Sequence, residues 1–327
     1  MLTEIAVQEW LNNIAQAVSK ATGFIPKKTW SSQFANTVLS GSELNHKPDI
    51  ILISTRLLDP INWRNIHVVT KVTLSPRWHS TMKKIINNKT YLMFCTQHSC
   101  QFVPFLSVCA DTIHFLISDH QGQAMVDIPY TQSGVYHTLD IVWIIVALMF
   151  GSDETIGYDS TIKTLLDGSI TKISVGSKDY KVNSTVHTIH GIVGRSMCVW
   201  LAYNMSPNGG KKSMIIKDGW IQEGCAGAEK EHLEVITGIT GVPSLIWGGA
   251  VQALVSSNNE VHEDNTLWIR GMFSDRHAYR IHHHLVLSPV GENLSTFSSL
   301  GELIAALQDI AVGMSMTSFI HHTNILQ

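Results

Sequence analysis

Charged residues are scarce in this sequence, and neither sign of charge is concentrated in one segment. Lys and Arg number 23 and Asp and Glu number 26 in 327 residues, which gives a formal net charge of -3. The basic residues are scattered, so the sequence lacks the basic stripe typical of proteins that bind nucleic acid or anionic membranes, and we expect neither partner. A hydrophobic content of 44% is typical of a globular protein of about two domains rather than of a disordered chain.

Long apolar runs and paired cysteines are also missing. The longest apolar run, residues 141–150, is shorter than the roughly 20 residues that a membrane-spanning helix needs. The 5 cysteines are an odd number without CxxC spacing, and the N-terminus does not resemble a secretory signal. We therefore expect reduced thiols and an intracellular protein, cytoplasmic or nuclear.

The first half of the sequence predicts one helix, then a sheet, then a second helix. Apolar residues recur at helical spacing from Leu2 to about Ala21. Short β-rich runs follow at residues 50–53, 66–72, 91–95, 102–108, 112–117 and 125–128. These runs predict an antiparallel meander, and residues 138–150 predict a helix. A polar stretch over 151–184 favours a domain border near residue 183, so that a mixed α+β domain spans 1–183 and a second domain spans 184–327.

The second half predicts five strands with one helix after the third strand. The elements are two strands around a turn within 187–203, a strand at 214–217, a helix at 226–236, and strands at 266–272 and 279–287. Ser299 and Glu302 have the spacing of a capping box, which predicts that a last helix begins there. The apolar residues of that helix, Leu303, Ile304, Leu307, Ile310 and Met314, form a stripe that we expect to find uncovered.

Three segments of the second half resemble the fungal-type protein kinase family. They are Ile-Val-Gly-Arg-Ser-Met-Cys-Val-Trp at 192–200, Ile-Lys-Asp-Gly-Trp at 216–220, and Gly-Val-Pro at 241–243. Residues 91–104 and 157–159 are similar to the family's N-terminal extension. The resemblance runs from about Asp49 onward. It implies an α+β fold consisting of a kinase-like N-lobe, with a five-stranded antiparallel sheet and one helix, followed by the start of a helical C-lobe.

The resemblance also implies ATP and Mg as cofactors, a protein substrate, and a set of site residues. The nucleotide would be contacted by Gly194, Arg195, Ser196, Val199, Lys217 and Leu287. Ser196 stands where the general kinase pattern has its second glycine. Lys217 would contact the phosphates and pair with a helix carboxylate, although a lysine at a strand end is otherwise most often solvated. We expect Glu229 rather than Glu231 as the partner, because only Glu229 has the spacing to apolar neighbours of an inward-facing residue.

The resemblance is incomplete at the family's catalytic loop. His321 corresponds to the loop histidine and Asn324 to the magnesium-binding asparagine, but the Arg-Asp between them is missing and no Asp-Phe-Gly follows. The family activity is ATP-dependent phosphorylation of Ser or Thr in proteins. We expect this chain, as a truncated kinase, to lack it. The alternative is a non-catalytic pseudokinase fragment that binds a protein partner; the oligomeric state cannot be inferred.

Two other patterns favour no separate function. Consecutive histidines at 282–284 would alternate between the two faces of a strand, so we expect surface and edge packing rather than a metal site. Asp49 followed by the strand 66–73 resembles a nuclease arrangement of an Asp and a Glu-x-Lys. However, Lys71 and Thr73 occupy the positions of the required Glu and Lys, which leaves Asp49 as the sole carboxylate.

Overall fold

A computed structural model describes most of the chain, namely residues 3–41, 44–56, 60–74, 80–109, 111–130, 135–205, 212–239, 241–255, 260–270, 279–292 and 294–324. The chain forms two compact units. The first comprises Met1–Ile170, His190–Ser196 and Thr266–His277, and the second comprises Thr171–Ile189, Met197–Asn265 and Ala278–Gln327. No helix within the described ranges is long and apolar enough to cross a membrane.

The first unit contains helices α1 (Glu4–Thr22), α2 (Ser80–Thr96) and α3 (Val135–Phe150) and strands β1 (Lys28–Ser31), β2 (Ile50–Ser54), β3 (Ile66–Val72), β4 (Phe102–Val108), β5 (Thr112–Asp119), β6 (Gly122–Pro129) and β7 (Ile162–Thr164). Helix α1 begins where the Thr3 side chain accepts a hydrogen bond from the Ala6 amide, and it ends at Gly23, whose φ of +77° is in the left-handed region. The predicted first helix is therefore confirmed.

The sheet of the first unit is mixed rather than a pure meander. Its strands have the order β1-β2-β3-β4-β5-β6, and every neighbouring pair is antiparallel except β3 and β4, which are parallel. A parallel pair requires a crossover connection, and α2 supplies it. The predicted strand at 91–95 is therefore wrong, because these residues form the last turns of α2.

Helices cover both faces of this sheet, and strand β2 shows why. Ile50 and Leu52 pack with α1 and α3 in one apolar cluster, whereas Ile51 and Ile53 pack with α2 in another. Successive side chains of a strand point to opposite faces, so four consecutive apolar residues require two buried faces. The first unit therefore has two apolar cores, one on each side of the sheet.

The rest of the chain forms strands β8 (Ile170–Val175), β9 (Lys178–Thr188), β10 (Cys198–Asn204), β11 (Ser213–Gln222), β12 (Ser244–Ala250), β13 (Gln252–Val255), β14 (Glu260–Glu263) and β15 (Arg280–Ser288) and helices α4 (Ala228–Val235), α5 (Leu267–Arg270) and α6 (Leu300–Asn324). The second sheet has the order β12-β15-β11-β10-β9-β8-β7. Strands β9, β10, β11, β12 and β15 are antiparallel to their neighbours, and α4 follows the third of them. The kinase-like α+β fold predicted for the second half is confirmed.

Two details of the second half differ from the predictions. The fourth strand is β12, and the run predicted as that strand, 266–272, instead contains the helix α5; residues 271 and 272 lie outside the described residues. The predicted domain border at residue 183 falls inside β9, which pairs along its length with β10. The compact units instead change over between Ile170 and Thr171, at the start of β8.

Helix α6 exposes the apolar stripe that the sequence predicted. Ile304, Leu307 and Ile310 are each 48% exposed and Leu300 is 68% exposed. Leu303 is half-buried, and the side chain of Met314 lies outside the described part of the chain. The helix begins as expected, since the Ser299 hydroxyl accepts from the Glu302 amide and Glu302 Oε2 accepts from the Ser298 amide and hydroxyl.

Candidate functional site

The predicted contact between Lys217 and Glu229 is present. Lys217 lies on β11, Glu229 lies in the first turn of α4, and Lys217 Nζ forms an ion pair with Glu229 Oε1. Their side chains are 24% and 40% exposed, so a solute can approach the charged pair. Glu231 is not the partner of this lysine. The structure thus selects the carboxylate that the apolar spacing around the helix predicted.

Other predicted nucleotide contacts share one face of the second sheet with Lys217. In the antiparallel register, Val199 lies directly opposite Lys217, and Leu287 lies directly opposite Ile215. Residues directly opposite each other in an antiparallel pair point to the same face, and so do residues two apart on a strand. Val199, Ile215, Lys217 and Leu287 therefore form one surface, apolar except for the ammonium group.

The predicted glycine turn belongs to the first unit. Gly194 has a φ of +136°, and its amide donates to the carbonyl oxygen of His120 at 3.0 Å. Ile192 packs against the apolar cluster on the α2 side of the first sheet. Ser196 has a φ of +38°, a left-handed conformation that a glycine would adopt at lower cost. Arg195 lies between these two unusual backbone positions, within the segment His190–Ser196 that the first unit includes.

The predicted catalytic-loop residues lie on helix α6. His321 lies in the last turn of this helix (Leu300–Asn324), and Asn324 is the last residue of its described backbone. Their side chains lie outside the described residues. The roles expected for His321 as a loop residue and for Asn324 as a magnesium ligand therefore stay predictions.

Comparison with known proteins decides the family. The family model described as fungal protein kinase matches residues 47–327. The chain belongs to the fungal protein kinase family. Searches of curated proteins and of solved structures gave no match.

A buried polar cluster in this kinase-like unit was missed from the sequence. His282, on β15, hydrogen bonds through Nδ1 to Asp264 Oδ2 at 2.8 Å and through Nε2 to Asp218 Oδ1. His284 Nε2 lies 3.1 Å from the same Asp218 oxygen, without hydrogen-bond geometry. The Trp220 ring stacks on His282 with ring centroids 4.6 Å apart. We call Asp218, Asp264, His282 and His284 the histidine-aspartate cluster.

Electrostatics favour the charged forms of Asp218 and His282 in this cluster. Burial opposes ionisation of Asp218, but the neighbouring His282 outweighs burial and lowers the pKa of the carboxyl well below its usual range. Burial likewise disfavours His282 as a cation, yet Asp218 and Asp264 outweigh it and raise the pKa of His282 well above 6.5. The result is a buried ion pair between His282 and Asp218, with Asp264 hydrogen bonded to the other ring nitrogen.

The expected surface location of the three histidines is therefore wrong. His282, His283 and His284 are 2%, 9% and 1% exposed. Neighbouring residues of a strand do alternate between its faces, but His282 and His284 are two apart and therefore share a face. On that face Asp218 of the adjacent strand hydrogen bonds to His282 and lies 3.1 Å from His284 Nε2. Histidines two apart on a strand, combined with an acidic residue on a neighbouring strand, are the sequence signal that could have indicated this cluster.

Asp49 in the first unit is paired with lysines. Its Oδ2 accepts from Lys71 Nζ at 2.6 Å and from the Val72 amide at 3.0 Å, and its Oδ1 lies 3.7 Å from Lys89 Nζ. Burial lowers the pKa of Lys89 to about 8, against the opposing effect of Asp49. Asp49 is thus paired with two ammonium groups, Lys71 and Lys89.

Proposed function

We propose that the second unit is a nucleotide-phosphate site of the protein kinase type, and that this chain does not complete phosphate transfer. The family activity is ATP-dependent phosphorylation of Ser or Thr in proteins, with Mg as the second cofactor. The observation that carries the proposal is the Lys217–Glu229 ion pair on β11 and α4. In protein kinases a strand lysine held by a helix glutamate contacts the nucleotide phosphates.

The surface around Lys217 supports an adenine-bearing ligand. Val199 and Leu287 lie on the same face as the ammonium group, so an apolar ring would pack on them while its phosphates reach Lys217. Mg would be held through Asn324, by analogy with the family. The pair itself is partly exposed, so binding a phosphate does not require the sheet to open.

Two features argue against catalysis by this chain. Residues 321–324 read His-His-Thr-Asn, so no aspartate stands between His321 and Asn324 to accept the proton of a substrate hydroxyl. The Gly194 amide is already used by the carbonyl of His120, and Ser196 replaces the second glycine. Phosphoryl transfer depends on positioning and charge neutralisation, so loss of these groups removes the mechanism.

The test is a calorimetric titration of the whole chain with ATP and Mg, combined with a transfer assay using labelled ATP. We expect binding weaker than micromolar, sensitive to Lys217→Met and Glu229→Gln but not to the matched control Glu231→Gln. No label should enter a protein substrate. Micromolar affinity, label transfer, or binding that Lys217→Met leaves unchanged would each contradict the proposal.

The second candidate is a non-catalytic module that binds a protein partner. The exposed apolar residues of α6 favour it, because a contiguous apolar surface is typical of an interaction site. Partner capture that is unaffected by ATP and by Lys217→Met, but lost when Leu307 and Ile310 are replaced by Ser, would favour this candidate over the first.

A further inference from the structure

A cavity of about 750 Å³ lies in the first unit, at one edge of its sheet. Lys28 at the start of β1, Ser54 at the end of β2 and His67 near the start of β3 all line it. Asp49 precedes β2 and Lys71 is near the end of β3, so that ion pair lies at the opposite end of the strands. The volume is in the range of small-molecule sites.

Basic side chains outnumber acidic ones around this cavity. The cations are Lys27, Lys28, Arg56, Arg64 and Lys163. The carboxylates are Asp153, Glu154 and Asp159. Both oxygens of Asp159 already accept hydrogen bonds, from the amide and the hydroxyl of Thr161. The chain as a whole is slightly acidic, at a formal charge of -3, so this local excess of positive charge favours an anionic ligand.

Lys28 is a buried cation whose positive charge is only partly neutralised by its neighbours. Its side chain is 4% exposed, and Nζ donates to the carbonyl oxygen of Gly151 at 2.8 Å. The carboxylate paired with it, Asp153, lies 3.8 Å away and is 73% exposed. Burial lowers the pKa of Lys28 despite that pairing. An ammonium group has three donors, so an anion in the cavity would supply both charge and acceptors.

His67 lines the same cavity, and the hydrogen bonds of Gln97 and Tyr158 set its tautomer. Gln97 Nε2 donates to the carbonyls of Trp63 and Ile66, both at 2.8 Å, so Gln97 Oε1 is the acceptor for the Tyr158 hydroxyl at 2.7 Å. The Tyr158 oxygen must then accept from His67 Nδ1 at 3.0 Å. His67 Nε2 therefore carries a lone pair rather than a proton.

The imidazole of His67 stays neutral, which preserves that acceptor. Burial, assisted by the positive charge of Lys28, lowers the pKa of His67 to about 3. The ring is held on edge against Tyr158, with centroids 5.6 Å apart. The cavity thus combines an excess of cations with the neutral imidazole of His67, which suits a ligand with both negative charge and a donor.

We propose that this cavity binds a phosphate group that is accompanied by a hydroxyl donor. The phosphate oxygens would contact Lys28 and Arg64, and the hydroxyl would donate to His67 Nε2. Inorganic phosphate carries its own P–OH near neutral pH, and a small phosphate ester can carry a hydroxyl on its organic part. Sulfate has the same shape and charge but no proton at that pH, so the acceptor of His67 discriminates against it.

The test is calorimetry of the full chain with inorganic phosphate, glycerol 3-phosphate and sulfate at pH 7. We expect phosphate or its ester to bind at least about tenfold more tightly than sulfate, because only the former can donate a hydrogen bond to His67. Tighter binding of glycerol 3-phosphate would identify an ester as the ligand, and tighter binding of phosphate would identify the free ion. His67→Phe should abolish the preference over sulfate.

Variants separate this cavity from the proposed nucleotide site. Arg64 is exposed, so Arg64→Ala should fold normally and weaken phosphate binding by about three- to tenfold, and Lys28→Met should weaken it further. Lys217→Met should change only the response to ATP. Equal binding of sulfate and phosphate, wild-type affinity in both Arg64→Ala and Lys28→Met, or no binding up to about 10 mM ligand would overturn the proposal.

Discussion

Replacing His282 by Phe tests whether the histidine-aspartate cluster is held together by charge. The substitution keeps a ring beside Trp220 but leaves Asp218 and Asp264 without the cation between them. Their side chains are 5% and 8% exposed, so water cannot replace it. Breaking a buried ion pair by removing one partner costs about 3 to 5 kcal/mol, and we expect the unfolding free energy of the second unit to fall by about that amount.

The pH dependence distinguishes lost charge from lost packing. The pKa of His282 is raised well above 6.5 in the folded chain, so its contribution is complete below pH 6.5 and is lost as the pH rises through the folded pKa. The wild-type unfolding free energy should therefore decrease above pH 6.5, by up to about 1.4 kcal/mol per pH unit from this group. The contribution of Asp218 is constant in this range, because its lowered pKa acts only at acid pH.

Urea titrations followed by circular dichroism between pH 6.5 and 8 make the measurement. Toward the upper end of that window Lys89, whose folded pKa is about 8, changes the stability in the opposite direction, equally in wild type and in His282→Phe. The matched control is His283→Phe, since burial and the two flanking histidines lower the pKa of His283 and leave it neutral. The control should still lose stability as the pH rises, because His282 is unchanged in it. Parallel pH curves for wild type and His282→Phe would refute the electrostatic account.

Three further changes have expected outcomes. Glu229→Gln should lower the unfolding free energy by at most about 1 kcal/mol in urea titrations, because its pair with Lys217 is partly exposed, and a larger loss would indicate a structural role. Gly157→Ala should destabilise the first unit by at least about 2 kcal/mol in thermal unfolding. The reason is that Gly157 has a φ of +101° and that a Cβ there would lie 2.0 Å from the carbonyl oxygen of Phe102. An unchanged stability would contradict this backbone geometry. The chain should bind an apolar dye, and Leu307→Ser on α6 should reduce the fluorescence, whereas unchanged dye binding would place the apolar surface elsewhere.

The order of strands and helix in the second half could be predicted because local signals agree there. Strands β10, β11 and β15 are apolar runs bounded by turns, and α4 has helical spacing with acidic residues in its first turn. Strand β12 could not be predicted in the same way, since it follows Pro243 and contains Gly248 and Gly249. Gly248 lies close to its neighbour on β15, because a Cβ there would lie 2.7 Å from the Leu285 side chain, which would have to shift.

The error at α2 has a different physical cause. Residues 91–95 are a continuous apolar run, and such a run is compatible with a strand or with a buried helix. The buried residues before and within this run identify it as a helix. They recur at helical spacing and are at most 3% exposed, namely Met82, Ile86, Thr90 and Met93. The parallel pairing of β3 and β4 then requires this helix as the crossover. Pairing between distant strands is a tertiary property, which a local window of sequence does not contain.

The residues of the candidate site also differ in whether their contacts depend on local order or on the pairing of distant strands. Lys217 and Glu229 are 12 residues apart on consecutive elements, so the order of elements was enough to predict their contact. Asp218 and His282 are 64 residues apart, and only the register of β11 against β15 brings them together. Because Lys217 and Asp218 are adjacent on β11, they point to opposite faces of the sheet. The buried cluster therefore lies on one face of this strand, and the Lys217–Glu229 pair lies on the other face.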